Sequence, residues 1–501
     1  MPNRRITIIL NANQTKRITV LVPLPQPDDV DVYNVRDHIL LQARNKFHNK
    51  YLYIVYRRGG AELEDFASLP DEEDEVLVSK GESYIGPPNK KLRADGIVAE
   101  SSVIAHQSFV HEDAVKQMEA LKSLQGVYSV VGMPDLHKGD RFPIGCAIFA
   151  QGIYPALIGS DIGCGISLYP LGATPAHLTP QKLASKLLKG RLDEPWEGDA
   201  KRWLSIYGIK GDEEDEFDSS LGTVGGGNHF AEIVSVERIV DQEACDSMGV
   251  YEGRLYVLVH TGSRGLGASI LRDYTRSNAN PYLIEEEERR VYLARHDHAV
   301  LWARANRDLV AHRIKACIFG GRGSDSDEQG EDEKEAKDTA EPNYKDYLSE
   351  LEKILDVTHN SVTLTGYEHD GAFVDAYLHR KGAAPADRGF VPCPGSRGDF
   401  SWIVQPMGDG KQNAYSLPHG AGRLHPRNAP SLRRGTADQL RTTALDSYVV
   451  CTDPDLLVQE RPEAYKSVQA VIDDVEEAGV AEGVVVLRPY VTFKTAVERR
   501  K

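Results

Sequence analysis

The sequence predicts an α+β fold, because short strand-like runs are mixed with helical segments along most of its 501 residues. Four apolar runs, at residues 127–131, 144–150, 255–260 and 484–487, have the length and composition of buried strands. Residues 285–310 carry apolar side chains at helical spacing and predict a long helix. A chain of this length can form a large core, and at ~150 residues each roughly three domains are expected.

Residues 1–90 are expected to form a small domain of their own. The order of its predicted elements is similar to that of a ubiquitin-like β-grasp module. An acidic run at 71–75 and a Gly-Pro-Pro at 86–88 indicate a linker to a larger catalytic domain at about 95–501. The predicted elements are strands at 6–10, 17–24, 51–56 and 76–78, and a helix over 32–47 with Val35, Ile39, Leu40 and Ala43 on one face.

Charge is distributed unevenly along the chain, whose formal net charge is −16. This value argues against a surface coated for nonspecific nucleic-acid binding but allows a local basic cleft. Residues 322–342 are rich in Ser, Asp, Glu and Gly and nearly free of apolar side chains. We interpret them as a disordered acidic insert, with an acidic partner-binding segment as the alternative.

The cysteines and the lengths of the apolar runs indicate the cellular compartment of the protein. Six cysteines without a C-x-x-C pair are not a disulfide framework, which favours a reducing environment. No apolar run approaches ~18 residues, so no membrane-spanning segment is expected. The first apolar run is too short for a signal peptide. We therefore expect an intracellular protein, cytoplasmic or nuclear, that has no membrane partner.

Six segments combine Gly, Asp, Cys, His and Asn at the ends of apolar runs. Imidazole, thiolate and carboxylate together suit borderline-soft metals, and glycine lets backbone approach a phosphate closely. The sequence therefore predicts a metal-dependent enzyme of phosphate chemistry. The segments are Met-Pro-Asp-Leu-His at 133–137, Gly-Ser-Asp-Ile-Gly-Cys-Gly at 159–165, Gly-Gly-Gly-Asn-His-Phe at 225–230, His-Thr-Gly-Ser-Arg-Gly at 260–265, His-Asn at 359–360 and His-Gly-Ala-Gly-Arg at 419–423.

Five side chains in these segments are candidate metal ligands. Asp161 and Cys164 are three residues apart in a glycine-rich loop that can hold one cation. His229 follows three glycines, His260 ends a predicted strand, and His359 is expected at the end of a helix over 347–357. Taken alone, each is more often part of a capped turn or a structural histidine than a metal ligand. Together they suit Zn or Mn, and several histidines with an aspartate favour Mn.

His419 has a different predicted role, because it lies in a loop of small residues with Arg423 four positions on. An imidazole is a good nucleophile near neutral pH, and a guanidinium can balance phosphate charge. The alternative is a histidine packed by glycines. Residues 394–398, Pro-Gly-Ser-Arg-Gly, are typical of an anion-binding nest or an ordinary turn, and the basic His-Arg-Lys-Gly at 379–382 precedes them and adds positive charge. No Walker-type motif is present.

These motifs, in this order from about residue 103 to the C-terminus, resemble the RtcB-type RNA ligase family. The family seals RNA 3′-phosphate or 2′,3′-cyclic phosphate ends to 5′-hydroxyl ends. The resemblance implies an α+β, sheet-rich core and two Mn²⁺ ions held by Asp161, Cys164, His229, His260 and His359, with Cys164 bridging. It also implies that His419 becomes covalently guanylylated by GTP.

The resemblance extends to substrate contacts. Tyr465 and Lys466 are similar to a nucleotide-contacting pair, with Ser467 where the family usually has Asp. The implied RNA or phosphate contacts are Arg264, Arg380, Lys381 and Arg423. The implied GTP pocket is Asn228, Glu232, His359, Asn360, Pro394, Gly395, Ser396, Arg397, Ser401, His419, Gly420, Ala421, Gly422 and Lys494.

The chain also departs from the family pattern. Leu-His-Pro-Arg at 424–427 stands where the family commonly has a Ser-Arg pair, and Pro426 removes a hydroxyl and a backbone donor from that loop. The Ser-Asp-Ile-Gly-Cys segment resembles a divergent branch that is sometimes coupled to a release factor. RNA with 3′-phosphate and 5′-hydroxyl ends, an accessory activating protein and a partner of the N-terminal module are the expected partners. Alternatives are a metal-dependent RNA phosphodiesterase or phosphatase without guanylylation, and a noncatalytic translation or RNA-quality binding protein.

Overall fold

The computed structural model describes most of the chain. The predicted acidic insert at 322–342 and the Gly-Pro-Pro at 86–88 lie outside the described residues. The described residues are 3–12, 16–23, 34–57, 60–65, 69, 74–82, 84, 97–209, 216–276, 283–320, 344–369, 371–427, 429–432, 435–436 and 439–495.

The N-terminal residues form one sheet packed against one helix. In the sheet order β2-β1-β4-β3, β1 and β4 are parallel and the other neighbours antiparallel. The predicted apolar face of the helix is confirmed, because Val35, Ile39, Leu40 and Ala43 are all buried against the sheet. The elements are β1 (Asn3–Leu10), β2 (Arg17–Pro23), α1 (Val35–Lys46), β3 (Ile54–Arg57) and β4 (Glu75–Ser79).

Two large sheets form the centre of the remaining chain, which confirms the α+β prediction. One sheet has the order β11-β8-β10-β9-β19-β16-β15, with β18 beside β19, and the other has the order β12-β13-β7-β6-β5. A short pair joins β14 to β17. The strands are β5 (Glu100–Val103), β6 (Val127–His137), β7 (Ile144–Ala150), β8 (Gly165–Pro170), β9 (Phe230–Ile239), β10 (Leu255–Thr261), β11 (Leu355–Thr358), β12 (Asn360–His369), β13 (Ala372–Lys381), β14 (Ala383–Pro385), β15 (Val391–Pro394), β16 (Ser401–Pro406), β17 (Ser416–Pro418), β18 (Tyr448–Cys451) and β19 (Ala481–Lys494).

Helices pack around these sheets, and α7 is the long helix that the periodicity predicts. No helix among the described residues is long and apolar enough to cross a membrane. Short 3₁₀ turns lie at Pro155–Leu157, Pro175–His177, Asp218–Ser220, Glu286–Glu288, Pro430–Leu432 and Pro462–Ala464. The α-helices are α2 (Glu112–Leu121), α3 (Pro180–Lys189), α4 (Ala200–Ser205), α5 (Gln242–Met248), α6 (Gly265–Arg276), α7 (Arg289–Phe319), α8 (Tyr344–Leu351), α9 (Pro454–Gln459) and α10 (Val468–Glu477).

The helix predicted over 347–357 is wrong in its second half. The helix α8 ends at Leu351, and Glu352 has a left-handed backbone with φ of 49°. The chain then enters β11, whose backbone pairs with β8 instead of continuing the helix. His359 therefore does not end a helix. It lies between β11 of one large sheet and β12 of the other, where the two sheets meet.

Candidate active site

The predicted metal ligands gather where several strands of the larger sheet begin or end. Both β10 and β11 run antiparallel to β8, and β9 runs antiparallel to β10, so first residues of some strands adjoin last residues of others. Thr261 and Thr358 each pair with Gly165, and His260 pairs with Phe230. This register brings together Cys164, His229, His260 and His359, and the loop before β8 adds Asp161.

The five donors form two groups that share the sulfur atom of Cys164. Its Sγ lies 3.3 Å from Nε2 of His229 and 3.3 Å from Nε2 of His260. On one side, Asp161 Oδ2 lies 2.7 Å from the same atom of His229. On the other side, Nε2 of His260 and Nε2 of His359 are 3.3 Å apart. Within each group the ligand atoms lie within 4.8 Å of one another.

This donor set fits a pair of borderline-soft divalent cations. Burial raises the pKa of the Cys164 thiol well above its ordinary value, since a buried thiolate without a cation is costly. Burial also lowers the pKa of His260 and of His359, which keeps both imidazoles neutral and therefore able to coordinate. Divalent cations bound to these two groups would satisfy all five donors, and Mn²⁺ or Zn²⁺ suits the mixture of thiolate, imidazole and carboxylate.

Glycine at position 262 allows the Asp161 carboxylate to approach the backbone next to His260. A Cβ atom on Gly262 would lie 2.1 Å from Oδ1 of Asp161, a distance at which either the carboxylate or the loop must move. The His-Thr-Gly segment thus serves two purposes, because His260 supplies a donor and Gly262 leaves room for another. This close approach is the physical reason for glycine in that motif.

The predicted nucleophile His419 lies beside the metal donors and is held by a carboxylate. The ring centres of His359 and His419 are 4.8 Å apart. Nδ1 of His419 lies 2.6 Å from Oδ2 of Asp135, which also accepts the backbone N–H of His419 at 3.2 Å. Asp135 is fully buried at the end of β6. With Nδ1–H donating to this carboxylate, the lone pair of Nε2 is the one available for attack.

Lys466 fixes the strand segment that carries Asp135. Its ammonium group donates to the carbonyl oxygens of Pro134 and Leu136 at 2.9 and 2.8 Å. Burial lowers the pKa of Lys466 to about 8. The Tyr-Lys pair at 465–466 was expected to contact a nucleotide. The structure places Tyr465 at the cavity described next, and it directs Lys466 to the backbone on both sides of Asp135.

The side chain of His419 lines a cavity of about 850 Å³, and most of the predicted GTP residues line the same cavity. Burial raises the pKa of Glu232, in this wall, to about 7, and its carboxylate accepts from Thr492 Oγ1 at 2.6 Å. Lys494 Nζ donates to the His229 carbonyl oxygen at 2.8 Å. The predicted residues in the cavity wall are Asn228, Glu232, Pro394, Gly395, Ser396, Arg397, His419, Gly420, Ala421, Gly422 and Lys494.

Three predicted GTP residues do not line the cavity, namely His359, which belongs to the second donor group, Asn360 and Ser401. The Asn360 amide donates to the Asp161 carbonyl oxygen at 3.1 Å and accepts from the Gly382 N–H at 2.7 Å. It thereby ties a metal-ligand loop to the end of β13. Ser401 is buried opposite Pro394 in the β15–β16 ladder, behind the nest residues.

A family model described as tRNA-splicing ligase RtcB matches residues 117–194 and 197–495. The chain belongs to the RtcB family. The RNA-splicing ligase RtcB2 of Escherichia coli is 36% identical over 400 residues, which cover 79% of this chain and 95% of that protein. The tRNA-splicing ligase RtcB of Thermococcus kodakarensis is 30% identical over 479 residues, which cover 80% of this chain and 95% of that protein. The family recognised from the motifs is thus confirmed.

One residue that supports the site in this RtcB-family protein escaped the sequence analysis. Arg307 of α7 is fully buried, and its Nη1 donates to the carbonyl oxygens of Gly163 and Thr261 at 2.9 and 3.1 Å. These carbonyls directly flank the candidate ligands Cys164 and His260. Nε of Arg307 also donates at 2.8 Å to Asp356, in the strand that leads to His359. Arg307 thus joins the three segments that carry the second group of donors.

A signal for Arg307 was present in the sequence. Asn306, Arg307 and Asp308 are three consecutive polar residues in the apolar stretch of α7, and all three are buried. Buried polar side chains in a helix need partners, and these reach the surrounding loops and strands. Asn306 accepts the Gly222 N–H at 2.7 Å, and Asp308 accepts the Tyr169 hydroxyl at 2.6 Å. Asp135 could also be found from the sequence, because it lies in the Met-Pro-Asp-Leu-His motif, although the motif alone predicts no role for it.

The predicted basic contacts are divided between the cavity and the protein interior. Arg423 lines the cavity, and its guanidinium donates to Glu460 at 3.1 Å and to the Gln459 carbonyl oxygen at 2.8 Å. Arg264 lies beside the first metal group, where its charge acts on Asp161. Arg380 is buried away from the cavity wall and donates to Ser416 Oγ at 2.9 Å.

The basic side chains of Lys381 and Arg397 have different contacts. Burial lowers the pKa of Lys381 to about 8, and its ammonium lies 5.8 Å from the Phe142 ring centre. Arg397 is buried in the cavity wall, and its Nη2 donates to the Leu457 carbonyl oxygen at 2.5 Å. Within the described part of the chain, Nε and Nη1 of Arg397 have no hydrogen-bond partner. Unpaired guanidinium donors in a cavity wall are suited to an anionic ligand.

Proposed function

We propose that this chain is a GTP- and Mn²⁺-dependent RNA ligase that joins 3′-phosphate or 2′,3′-cyclic phosphate ends to 5′-hydroxyl ends. The intermediate is a guanylate on His419. The observation that carries the proposal is the position of His419, between the Asp135 carboxylate and the metal donor His359. Family membership and relatives named as RNA-splicing and tRNA-splicing ligases support the substrate class.

The first chemical step follows from the His419–Asp135 pair. Nε2 of His419 attacks the α-phosphorus of GTP, the bond to the bridging oxygen breaks, and pyrophosphate leaves. The Asp135 carboxylate offsets the positive charge that develops on the imidazole. The five donors Asp161, Cys164, His229, His260 and His359 would hold divalent cations, which would neutralise charge on the phosphate oxygens.

The later steps transfer the guanylate to RNA. A cyclic phosphate is first opened by water, and an oxygen of the RNA 3′-phosphate then attacks the guanylate phosphorus. The P–N bond breaks and its electron pair returns to Nε2 of His419. The 5′-hydroxyl of the second RNA finally attacks the activated 3′-phosphate and releases GMP.

Guanine selection fits the chemistry of the cavity wall. A carboxylate at Glu232 can accept two N–H donors from the guanine edge, which adenine does not present. The buried Arg397 offers its unpaired donors to phosphate oxygens. Asn228, Ser396 and Lys494 add polar groups along the same wall.

One experiment tests the proposal as a whole. Purified protein is incubated with Mn²⁺ and labelled GTP, with and without a 3′-phosphate/5′-hydroxyl oligonucleotide pair. We expect a covalent protein–GMP adduct without RNA and a joined product with it. His419→Ala should lose the adduct while keeping its metal content near normal. Stable labelling of that variant, or metal-dependent RNA cleavage without a GTP requirement, would contradict the proposal, and the latter would favour a phosphodiesterase.

The N-terminal sheet and the insert complete the proposed organisation. We assign residues 1–90 to a β-grasp module and 95–501 to the catalytic domain, in agreement with a family match that begins at residue 117. An accessory activating protein and a partner of the N-terminal module remain part of the proposal.

A further inference from the structure

An aromatic ring is exposed at the edge of the active-site cavity. Phe109 lies in the loop between β5 and α2, is 56% exposed and lines the same cavity as His419. Its ring stands edge-on to that of His111, with ring centres 6.2 Å apart and planes at 86°. His111 also lines the cavity, and its Nδ1 caps α2 by accepting the Asp113 N–H at 3.1 Å. Each ring is therefore in contact with the other, and the ring of Phe109 remains largely exposed to solvent.

The loop that carries Phe109 is held rigidly by a buried carboxylate. Asp474 of α10 is fully buried and accepts the backbone N–H groups of His106, Gln107 and Ser108 at 2.9, 2.6 and 2.9 Å. Three bonds from consecutive amides to one side chain fix the backbone directly before the exposed ring. A pre-organised ring loses little conformational freedom when a flat ligand stacks on it. Because three hydrogen bonds to a buried carboxylate fix the backbone before an exposed apolar side chain, we interpret that side chain as a binding contact.

Phe109 and the predicted guanine residues line the cavity from different elements of the fold. Lys138 Nζ contacts Asp113 at 2.8 Å, and Lys138 follows His137, whose ring lies parallel to that of His419 with centres 6.4 Å apart. Glu232, Thr492 and Lys494 enter from β9 and β19 instead. A nucleotide bound along those strands leaves the Phe109 side of the cavity available to the second reactant.

We infer that Phe109 stacks on a terminal nucleobase of the RNA and so positions the RNA end beside His419. The inference rests on the proposed function. Protein contacts to RNA ends use aromatic rings because the unpaired bases there expose their flat faces, and such stacking tolerates every base. The net charge of −16 makes general attraction of RNA weak, so a local contact must supply binding energy. Lys138 adds one cation to the wall of the same cavity.

Equilibrium binding of a short 3′-phosphate RNA, followed by fluorescence anisotropy, tests this role without requiring catalysis. Phe109→Ala should weaken binding by about 5- to 150-fold, the range typical of one lost base stack. Phe109→Trp should bind as tightly as the unchanged chain. Phe373→Ala is the matched control, because Phe373 is 77% exposed in β13 but does not line the cavity. Equal binding by the two alanine variants would overturn the inference.

Abasic probes identify the base and separate this inference from the proposed function. An abasic terminal nucleotide on the 3′-phosphate RNA should weaken binding to the unchanged chain but have no further effect on Phe109→Ala. Independent losses from the abasic site and the substitution would refute the stacking contact. GMP labelling without RNA reports on the nucleotide site alone. Failure of that labelling in the unchanged chain would therefore remove the proposed chemistry while binding still decides the role of Phe109.

Discussion

The Nδ1 atom of His419 lies 2.6 Å from the Oδ2 atom of Asp135, although the two residues are 284 positions apart in the chain. This contact fixes both the orientation of the imidazole and its tautomer. Asp135→Asn should therefore lower the rate of GMP adduct formation by roughly 10²- to 10⁴-fold, because an amide can hold the ring in the wrong tautomer. The measurement is single-turnover labelling with GTP.

A control on the metal site makes this result specific. Metal content of Asp135→Asn should match that of the unchanged chain, since Asp135 belongs to neither donor group. A variant that labels at the normal rate would show that the carboxylate does not act through His419.

Cys164 should control the occupancy of both metal sites. Its sulfur belongs to both donor groups, whereas Asp161 belongs to one and His359 to the other. We expect Cys164→Ala to lose both bound ions and its activity, and Asp161→Ala or His359→Ala each to lose mainly one. Metal stoichiometry after gel filtration measures this difference. Cys245→Ala is the control, because Cys245 is a buried thiol in the apolar core. Full metal content in Cys164→Ala would reject it as a ligand.

Gly422 should be required for the alignment of His419 with Asp135. A Cβ atom at Gly422 would lie 2.3 Å from the Asp135 carbonyl oxygen, and its φ is 71°. Gly172 has a nearly equal φ of 74° but nothing within 4 Å of a Cβ atom. Gly172→Ala should therefore cost only the left-handed strain, about 1–2 kcal/mol in the free energy of unfolding.

The comparison of the two alanine variants isolates the steric clash. Gly422→Ala should show the same backbone strain and in addition lose most GMP labelling, because the loop must move away from Asp135. Urea denaturation gives the stability and the adduct assay gives the function. Equal labelling by the two variants would contradict the proposed close approach.

Arg307 should couple metal affinity to folding stability. Arg307→Ala removes one partner of the buried pair with Asp356, which typically costs about 3–5 kcal/mol. It also releases the carbonyls beside Cys164 and His260, so Mn²⁺ affinity should fall by more than tenfold. Chemical denaturation and a Mn²⁺ titration of the folded variant measure the two effects.

Arg304→Ala is the matched control for Arg307. Arg304 contacts the same Asp356 at 3.3 Å, but its side chain is 34% exposed, and exposed pairs contribute about 0–1 kcal/mol. The affinity of Arg304→Ala for Mn²⁺ should equal that of the unchanged chain. A loss of affinity as large as that of Arg307→Ala would mean that the charge of Asp356, and not the carbonyl contacts, organises the site.

Residue type and strand pattern were sufficient to predict much of the sheet and the five side chains that gather in the two donor groups. Asp, Cys and His beside glycine are unusual at the ends of apolar runs, so their chemistry was visible locally. Asp135 and Arg307 were missed because their roles depend on partners that the chain brings together only on folding. The helix predicted through residue 357 was wrong for a related reason: pairing of β11 with β8 overrides the local helical pattern.

Glu232 should make both stability and guanine binding depend on pH. Burial raises its pKa to about 7 from an ordinary value of 4.5, so the folded state binds a proton that the unfolded state has released between these values. Stability linked to Glu232 is therefore fully present below pH 4.5 and is lost as the pH rises through about 7. At about 1.4 kcal/mol per pKa unit, Glu232→Gln should gain about 3 kcal/mol over the unchanged chain across this window.

Guanine binding should change with pH in the opposite sense, because only the ionised carboxylate accepts both guanine donors. GTP affinity of the unchanged chain should rise as the pH increases through about 7, and that of Glu232→Gln should be weak and flat. Glu237→Gln is the control, since the hydrogen bond from Arg488 lowers the pKa of Glu237 from its ordinary value of 4.5 and so keeps this carboxylate ionised over the range tested. Denaturation and GTP titrations between pH 5 and 8 measure both effects. Parallel pH profiles for Glu232→Gln and the unchanged chain would show that this carboxyl neither titrates in the window nor reads the base.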